Sequence, residues 1–163
     1  MVMTQAPAMI SGAQFSDDRV YRYALWRTWD ETKGHAMFIG LNPSTADETK
    51  DDQTIRKCMA FARRWDYGGI YMLNIFAFRA TDPQVMKAAA DPIGPGNDDI
   101  IRRYLACAGT AIACWGVHGQ HRNRSQRVRA WLRGRLHHLG LTKDGHPKHP
   151  LYLPLSTPAE VWS

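Results

Sequence analysis

Four short segments of the chain carry polar or special residues at the ends of predicted strands. They are residues 40–44 (GLNPS), 73–74 (LN), 115–116 (WG) and 149–150 (HP). In an open parallel sheet, ligands bind where strands end and loops begin. Each segment alone is also typical of plain structure, such as a turn, a packed ring beside a tight bend, or a surface His before Pro. The four segments therefore indicate a candidate site if the fold brings them together.

Asn74 is the most unusual of these residues because it lies inside the apolar run YMLNIF. A buried amide with no hydrogen-bond partner costs about 1–3 kcal/mol. One interpretation is that Asn74 caps a nearby loop, and the other is that it contacts a ligand. Its position alone leaves both open.

The hydrophobic pattern predicts strands alternating with helices. Strands are predicted over residues 20–29, 36–41, 69–76, 110–115 and 151–153, and helices over residues 51–65, 97–108 and 125–139, with a short helical turn at 85–90. The continuous apolar run at 36–41 predicts a central strand. The alternation favours an α/β fold, a three-layer sandwich around a mainly parallel sheet that begins with an antiparallel hairpin of the first two strands.

The length of 163 residues predicts one domain, since two cores would each be too small. Residues 1–17 are small, polar and aperiodic, which predicts a loose leader before a single domain over 18–163. The sequence has no apolar run near the roughly 20 residues that cross a bilayer, and no secretory signal pattern. Its three cysteines form no CxxC pair. Buried thiols in a cytoplasmic protein without membrane contact are the expectation.

In their order, the four segments resemble the motifs of the uracil-DNA glycosylase superfamily. That superfamily has a Gly-x-(Asp/Asn)-Pro loop after an early strand, an apolar strand ending in Asn, a later strand ending in Trp-Gly, and a His-Pro loop. The resemblance covers residues 36–157, and the Asn-Pro loop is most similar to the Gly-Ile-Asn-Pro-Gly of the mismatch-specific branch. The whole chain also resembles an uncharacterised bacterial and phage family that shares GLNPSTAD.

The resemblance implies a uracil-DNA-glycosylase-like fold and a monofunctional enzyme that hydrolyses the N-glycosidic bond of a base flipped out of DNA. Asn42 would hold the attacking water, because an amide can position water but cannot act as a strong base. Asn74 would read the base edge, with Leu41 beside the base. His149 would donate a hydrogen bond to the departing base. His146 also precedes a proline, but His149 is preferred because it adjoins the predicted last strand.

Ser44 makes a prediction about the substrate. In the strictly uracil-specific branch a tyrosine follows the loop proline and excludes groups on C5 of the pyrimidine. Serine is much smaller, so we expect this pocket to accept a C5 substituent. The expected substrate is therefore a modified or mismatched pyrimidine, with a hypermodified phage base as one example.

DNA, duplex or single-stranded, is the predicted partner. The net charge is +6, from 21 Lys and Arg against 15 Asp and Glu. Residues 118–138 hold six arginines and no acidic residue, at positions 122, 124, 127, 129, 133 and 135. Arg122 and Arg124 are the preferred phosphate contacts because they follow the Trp-Gly segment most closely. The alternative is a solvated helix face.

Further DNA contacts are predicted around the two loops. Thr45 follows the GLNPS loop, and Arg79, downstream of Asn74, is a weaker candidate. Leu151 or Tyr152 could be the wedge that fills the space left by the flipped base. The alternative for these two residues is packing inward from a short strand.

The acidic residues after the GLNPS loop have a structural and a catalytic interpretation. Asp47, Glu48, Asp51 and Asp52 would complement the N-terminus of the predicted helix. Alternatively, Asp47 or Asp51 would take part in catalysis. No metal and no cofactor is predicted. Nothing marks Lys50 or Lys148 as a Schiff-base lysine, which favours a reaction that uses water.

Two other functions stay open at this point. One is an enzyme that acts on free nucleotides or nucleosides with the same Asn and His. The other is a catalytically silent nucleic-acid-binding module. Salt-dependent duplex binding distinguishes the first alternative from DNA-binding functions, and abasic-site formation distinguishes the second from an enzyme.

Overall fold

The computed structural model describes residues 8–163. In that range the strands and α-helices follow in the order β1 (Ile10–Phe15), β2 (Arg22–Thr28), β3 (His35–Gly40), α1 (Gln53–Arg64), β4 (Gly69–Asn74), α2 (Pro83–Ala88), α3 (Asn97–Ala108), β5 (Ala111–Ala113), α4 (Arg124–Trp131), β6 (Leu136–His138) and β7 (Glu160–Val161). Two 3₁₀ segments cover Val117–Asn123 and Pro150–Tyr152. None of the helices within this range is long and apolar enough to cross a membrane.

All seven strands belong to one sheet with the order β1-β2-β4-β3-β5-β6-β7. The four strands β4, β3, β5 and β6 run parallel, whereas β1 and β2 at one edge and β7 at the other pair antiparallel with their neighbours. The apolar run of β3 lies at the centre, as its sequence predicts. The parallel block aligns the carboxyl ends of β3, β4 and β5 at one edge, where loops can meet.

The core has two parts, one on each face of the sheet. Alternate residues of β3 point to opposite faces, so Phe38 packs with α1 whereas Ile39 packs with α3 and α4. The protein is therefore a mixed α/β structure with helices on both faces. This arrangement agrees with the expected α/β sandwich.

Helix α1 forms where the sequence predicts it. Ile55, Cys58 and Ala62 recur at helical spacing and are buried against the sheet. Asp52 caps the helix by accepting a hydrogen bond from the Ile55 N–H at 2.9 Å. The N-terminus of α1 consequently points to the edge of the sheet where β3 and β4 end.

The expected hairpin between residues 20–29 and 36–41 is wrong. β2 pairs with β1 and with β4, and β4 lies between β2 and β3. The antiparallel pair at the start of the sheet is β1 with β2. The connection after β2 is short, but the chain crosses one strand position because parallel pairing of β3 with β4 buries both faces of two apolar strands.

The expected loose leader over residues 1–17 is wrong for its second half. Residues 10–15 form the edge strand β1, paired with β2 from Ile10 opposite Thr28 onward. Ile10 is exposed and Gly12 packs on the Trp26 ring, so the strand carries little of the apolar alternation that identifies buried strands. Residues 1–7 of the predicted leader lie outside the described residues.

Two predictions near the C-terminus are also wrong. The helix expected over 125–139 ends at Trp131, because Gly134 has a φ of +82° and the chain then enters β6. In place of the strand expected over 151–153 the structure has the 3₁₀ turn Pro150–Tyr152, which begins at a proline that has no N–H for a sheet hydrogen bond. The last strand is β7 instead. Helix α3, by contrast, has the predicted bounds.

Candidate functional site

A cleft of about 390 Å³ opens at the carboxyl ends of β3, β4 and β5. Its walls come from the loops after β3 and β5, the N-terminus of α1, the start of β2 and the segment before Pro150. All five residues predicted to catalyse the reaction or bind the base line it, namely Leu41, Asn42, Ser44, Asn74 and His149. The volume lies in the range of small-ligand sites. The fold thus brings together side chains that are far apart in the chain.

Asn42 is held with its amide oxygen available. Its Nδ2 donates to the Ala80 carbonyl at 2.8 Å and approaches the carbonyls of Phe78 and Pro43 at 3.4 and 3.3 Å. Three carbonyl oxygens around one nitrogen fix the orientation of the amide, since only the NH₂ group can donate to them. The Oδ1 atom is therefore left as an acceptor, which is the group needed to hold a water molecule.

Asn74 is 2% exposed and lies at the end of β4. Its backbone carbonyl accepts from Asn97 Nδ2 at 3.0 Å, but its own Nδ2 is buried without a partner. The side chain caps no loop within residues 8–163, so the structural interpretation of this residue loses its support. A buried amide donor without a protein partner at a cleft is typical of a residue whose partner is a ligand.

Gly40 gives Asn74 its place. A Cβ atom at position 40 would lie 2.8 Å from Asn74 Oδ1 and 2.8 Å from Met72 Cε. Such distances are shorter than van der Waals contact, so a side chain at Gly40 would displace the amide. Close packing against Asn74 and Met72 therefore requires a glycine at position 40.

His149 lies at the exposed rim of the cleft and is held by its backbone neighbour. Its Nδ1 accepts a hydrogen bond from the Leu151 N–H at 3.2 Å. A neutral ring with Nδ1 as acceptor carries its proton on Nε2, which can donate. Loss of solvent around the ring lowers the pKa of His149, and the charge of Asp52 opposes that shift less strongly. His146 is not among the lining residues, so the cleft contains the preferred one of the two His-Pro histidines.

Arg22, which the sequence did not single out, also lines the cleft. It is 2% exposed, and its guanidinium makes one side-chain hydrogen bond, from Nη1 to the Ala46 carbonyl at 3.1 Å. Its Nε is buried without a partner. Burial lowers the pKa of Arg22 to about 10, with the nearby charge of Asp52 opposing the shift. A charged residue inside the apolar run VYRYALW is the sequence signal that could have found it.

The residues at the remaining wall have mixed roles. Ser44 Oγ lies 3.2 Å from Thr81 Oγ1, so this small side chain is hydrogen-bonded across the cleft wall. Leu41 packs partly on the core. Trp115 donates from Nε1 to Ser125 Oγ at 2.8 Å, and its ring packs against Trp162. The Trp-Gly segment therefore shapes the cleft through a buried ring.

The burial of Arg124 does not fit the predicted phosphate contact. The side chain is 2% exposed, donates from Nε to the Ile75 carbonyl at 2.9 Å and pairs with Asp98. The Arg124 side chain therefore connects α4 to Asp98 in α3 and to the backbone just after β4.

Most of the other arginines of residues 118–138 bind the protein itself. Arg122 is exposed, but its Nη2 lies 3.4 Å from the Ala89 carbonyl and 3.3 Å from that of Ala90. Arg135 donates to the last carbonyls of α3, and Arg129 stacks on Trp162. Arg127 and Arg133 remain exposed. The expected concentrated phosphate-binding surface is therefore largely occupied by structural contacts.

The other predicted DNA contacts lie outside the cleft. Thr45 is exposed and does not line it. Leu151 is half-buried and Tyr152 is 87% exposed, both on the 3₁₀ turn that follows His149. Arg79 donates to the Arg19 carbonyl and lies over the Phe15 ring. Of the two wedge candidates, Tyr152 has the exposure that a wedge requires and Leu151 does not.

The acidic residues divide between structure and cleft. Asp47 accepts from the N–H groups of Thr49 and Lys50, and Asp51 pairs with Arg27 at 2.7 Å. Neither lines the cleft, so the catalytic interpretation of these two residues is not supported by their positions. Asp52 does line it while capping α1.

No group of three or more His, Cys, Asp or Glu residues in the part of the chain that the structure describes could hold a metal ion. Cys58 and Cys114 are buried, and burial raises the pKa of both thiols, that of Cys114 to about 12. Cys107 is exposed, unlike the expected buried thiol.

A family model described as "Protein of unknown function (DUF1643)" matches residues 22–151. No curated protein and no solved structure matches the chain. The matched range begins at Arg22 and extends just past His149, so it contains every residue that lines the cleft.

Proposed function

The chain belongs to the DUF1643 family, and we propose that it is a DNA glycosylase. It hydrolyses the N-glycosidic bond of a flipped-out modified or mismatched pyrimidine and leaves an abasic site. The observation that carries this proposal is that Asn42, Asn74 and His149 line one cleft. The ordered resemblance of their segments to the uracil-DNA glycosylase superfamily supports it.

The reaction separates charge, and the cleft offers a group for each part. The bond from the sugar to the base breaks first, so that the electron pair leaves with the base and the sugar becomes a cation. Asn42 Oδ1 holds the water whose oxygen then bonds to the sugar carbon, and the proton of that water passes to solvent. His149 Nε2–H stabilises the negative oxygen of the departing base. Solvent protonates the base afterwards.

Asn74 supplies recognition in this proposal. Its amide can donate and accept side by side, which matches the Watson–Crick edge of a pyrimidine. The small Ser44 leaves room next to the base, so a C5 substituent is accepted. Flipping the base costs a few kcal/mol, and the amide and the guanidinium in the cleft help to offset it.

A second candidate is an enzyme that acts on free pyrimidine nucleotides. The observation that favours it is the occupation of Arg124, Arg129 and Arg135 by contacts within the protein, which removes much of the expected DNA-binding surface. The same Asn and His would perform the same hydrolysis on a smaller substrate.

The test is to incubate the protein with DNAs that differ in base modification and to identify released bases by mass spectrometry. We expect free modified pyrimidine from at least one DNA and abasic sites in that DNA. Asn42→Ala should abolish release while binding is kept, and Gln126→Ala, which removes an exposed amide on α4, should change neither. Release from free nucleotides but not from DNA favours the second candidate. Release that persists in Asn42→Ala contradicts the proposed role of this residue.

A further inference from the structure

Arg22 is a buried cation whose donors are mostly unused. A guanidinium has five N–H donors, and Arg22 makes one side-chain hydrogen bond, to the Ala46 carbonyl. No carboxylate among residues 8–163 forms an ion pair with it. Burying an unpaired charge is costly, so a position of this kind persists where a ligand supplies the missing acceptors.

The surroundings of Arg22 add further donors. Among the residues that line the cleft, Arg22 is the one Lys or Arg side chain. Thr54, in the first turn of α1, lines the same cleft, and the first N–H groups of a helix have no partner inside the helix. Asn74 Nδ2 is a second buried donor without a partner. A ligand that satisfies these groups must be rich in acceptors and negatively charged.

One carboxylate, Asp52, lines the cleft as well. Its Oδ1 accepts from the Ile55 N–H, so part of its charge is directed at the end of α1. The cleft therefore keeps a guanidinium, a helix N-terminus and hydroxyl groups for the ligand, which is the combination that binds phosphate.

We infer that Arg22 anchors a phosphate subsite in this cleft, so that the ligand is a nucleotide or a nucleic-acid strand rather than a nucleoside. The inference deepens the proposed function by naming the part of the substrate that Arg22 holds, and it rests on that function for the rest of the ligand. Binding of phosphate itself is independent of any turnover.

The first experiment uses the unaltered protein. Calorimetry at fixed ionic strength compares deoxyuridine, deoxyuridine 5′-monophosphate, inorganic phosphate and a short single-stranded oligonucleotide that contains deoxyuridine. We expect the monophosphate or the oligonucleotide to bind about tenfold or more tightly than deoxyuridine. Competition by millimolar phosphate should remove that difference. Preference for the monophosphate identifies a free nucleotide as the source of the phosphate, and preference for the oligonucleotide identifies a strand.

Variants then assign the phosphate to Arg22. Arg22→Gln should abolish the advantage of the phosphorylated ligands over deoxyuridine, while Arg22→Lys should retain part of it. Arg133→Gln removes the same charge from an exposed position outside the cleft and should have no effect.

Equal affinities of the unaltered protein for deoxyuridine and for both phosphorylated ligands would overturn the inference, even if an Arg22 variant fails to fold. Retention of the advantage in a folded Arg22→Gln protein would overturn it as well. The proposed function fails separately, through an absence of base release while phosphate binding remains.

Discussion

Two buried arginines on β2 show how differently the fold treats its two ends. Arg27 is 1% exposed and uses all five donors, with Asp51 and with the carbonyls of Gly12, Trp26, Asp47 and Lys50. Arg22, at the cleft end of the same strand, is buried to the same degree and donates one side-chain hydrogen bond. The hydrogen-bonding capacity of Arg27 is therefore filled by the protein, whereas that of Arg22 is available to a ligand.

The largest expected difference is in stability. Arg27→Met leaves Asp51 without its ion-pair partner and removes the hydrogen bonds to four carbonyl groups, so we expect a loss of about 3–5 kcal/mol in the free energy of unfolding. Arg22→Met removes one hydrogen bond together with an unpaired buried charge, so we expect a change within about 1 kcal/mol. Urea unfolding followed by circular dichroism measures both. Equal losses would show that Arg22 is as structural as Arg27.

Two glycines extend the comparison to the packing at each end. A Cβ at Gly40 would lie 2.8 Å from Asn74 Oδ1, whereas a Cβ at Gly69 would lie 2.6 Å from the Arg27 carbonyl and 2.6 Å from the His35 ring. We expect each alanine substitution to cost about 1–3 kcal/mol of stability. Gly40→Ala alone should also weaken ligand binding, since it displaces the cleft amide. Calorimetric titration of both folded variants checks this, and unchanged binding in Gly40→Ala would remove Asn74 from the site.

A pair of histidines tests the same contrast through pH. Loss of solvent around the ring lowers the pKa of His149, at the rim of the cleft, and of His35, at the other end, below the ordinary value of 6.5. A lowered folded-state pKa means that each neutral ring contributes stability above pH 6.5, and that this contribution is lost as the pH falls through the folded-state pKa. Phosphate in the cleft should raise the pKa of His149, because a nearby anion favours the charged ring, and should leave that of His35 unchanged. Histidine NMR titrations with and without phosphate measure both. Equal changes in the pKa of both histidines would show that phosphate does not bind specifically in the cleft.

The smallest expected effect concerns the pocket wall. Ser44→Tyr adds a ring where the serine now leaves room for a C5 substituent, so release of C5-modified pyrimidines should fall by roughly tenfold relative to uracil, as one lost steric fit is worth about 1–3 kcal/mol. Stability should change little because Ser44 is partly exposed. Mass spectrometry of bases released from paired substrates gives the ratio. An unchanged ratio would separate Ser44 from substrate choice.

The sequence predicts the elements whose local signals agree with their long-range contacts. Helix α3 has its predicted bounds because acidic residues open it and Gly109 follows its end. The position of Asn42 and Asn74 near strand ends was predictable because parallel strands align their carboxyl ends. That of His149 was not, since the strand predicted next to it is a 3₁₀ turn. Strand β1 was not, since an edge strand with an exposed Ile10 lacks a buried pattern.

The two arginines of β2 show the limit of local reasoning about a site. Arg22 and Arg27 occupy the same apolar run, VYRYALWRTW, and carry the same local signal. Their difference comes from partners that are remote in sequence, since Asp51 and two carbonyl groups of its loop reach Arg27 alone. For Arg124 the sequence predicted an exposed phosphate contact, but the side chain is buried and donates to the carbonyl of Ile75, which is remote in sequence. The charge of a side chain was visible in the sequence, but its partners were not.

The cleft takes its walls from the start of β2 near one end of the chain and from His149 near the other. Contacts between such distant segments require long loops to close, and this closure costs conformational entropy. A fragment that ends before His149, or one that begins after Arg22, lacks part of the wall. Ligand binding at this cleft is therefore a measure of complete folding, and recovery of binding after dilution from urea should follow the slowest refolding phase.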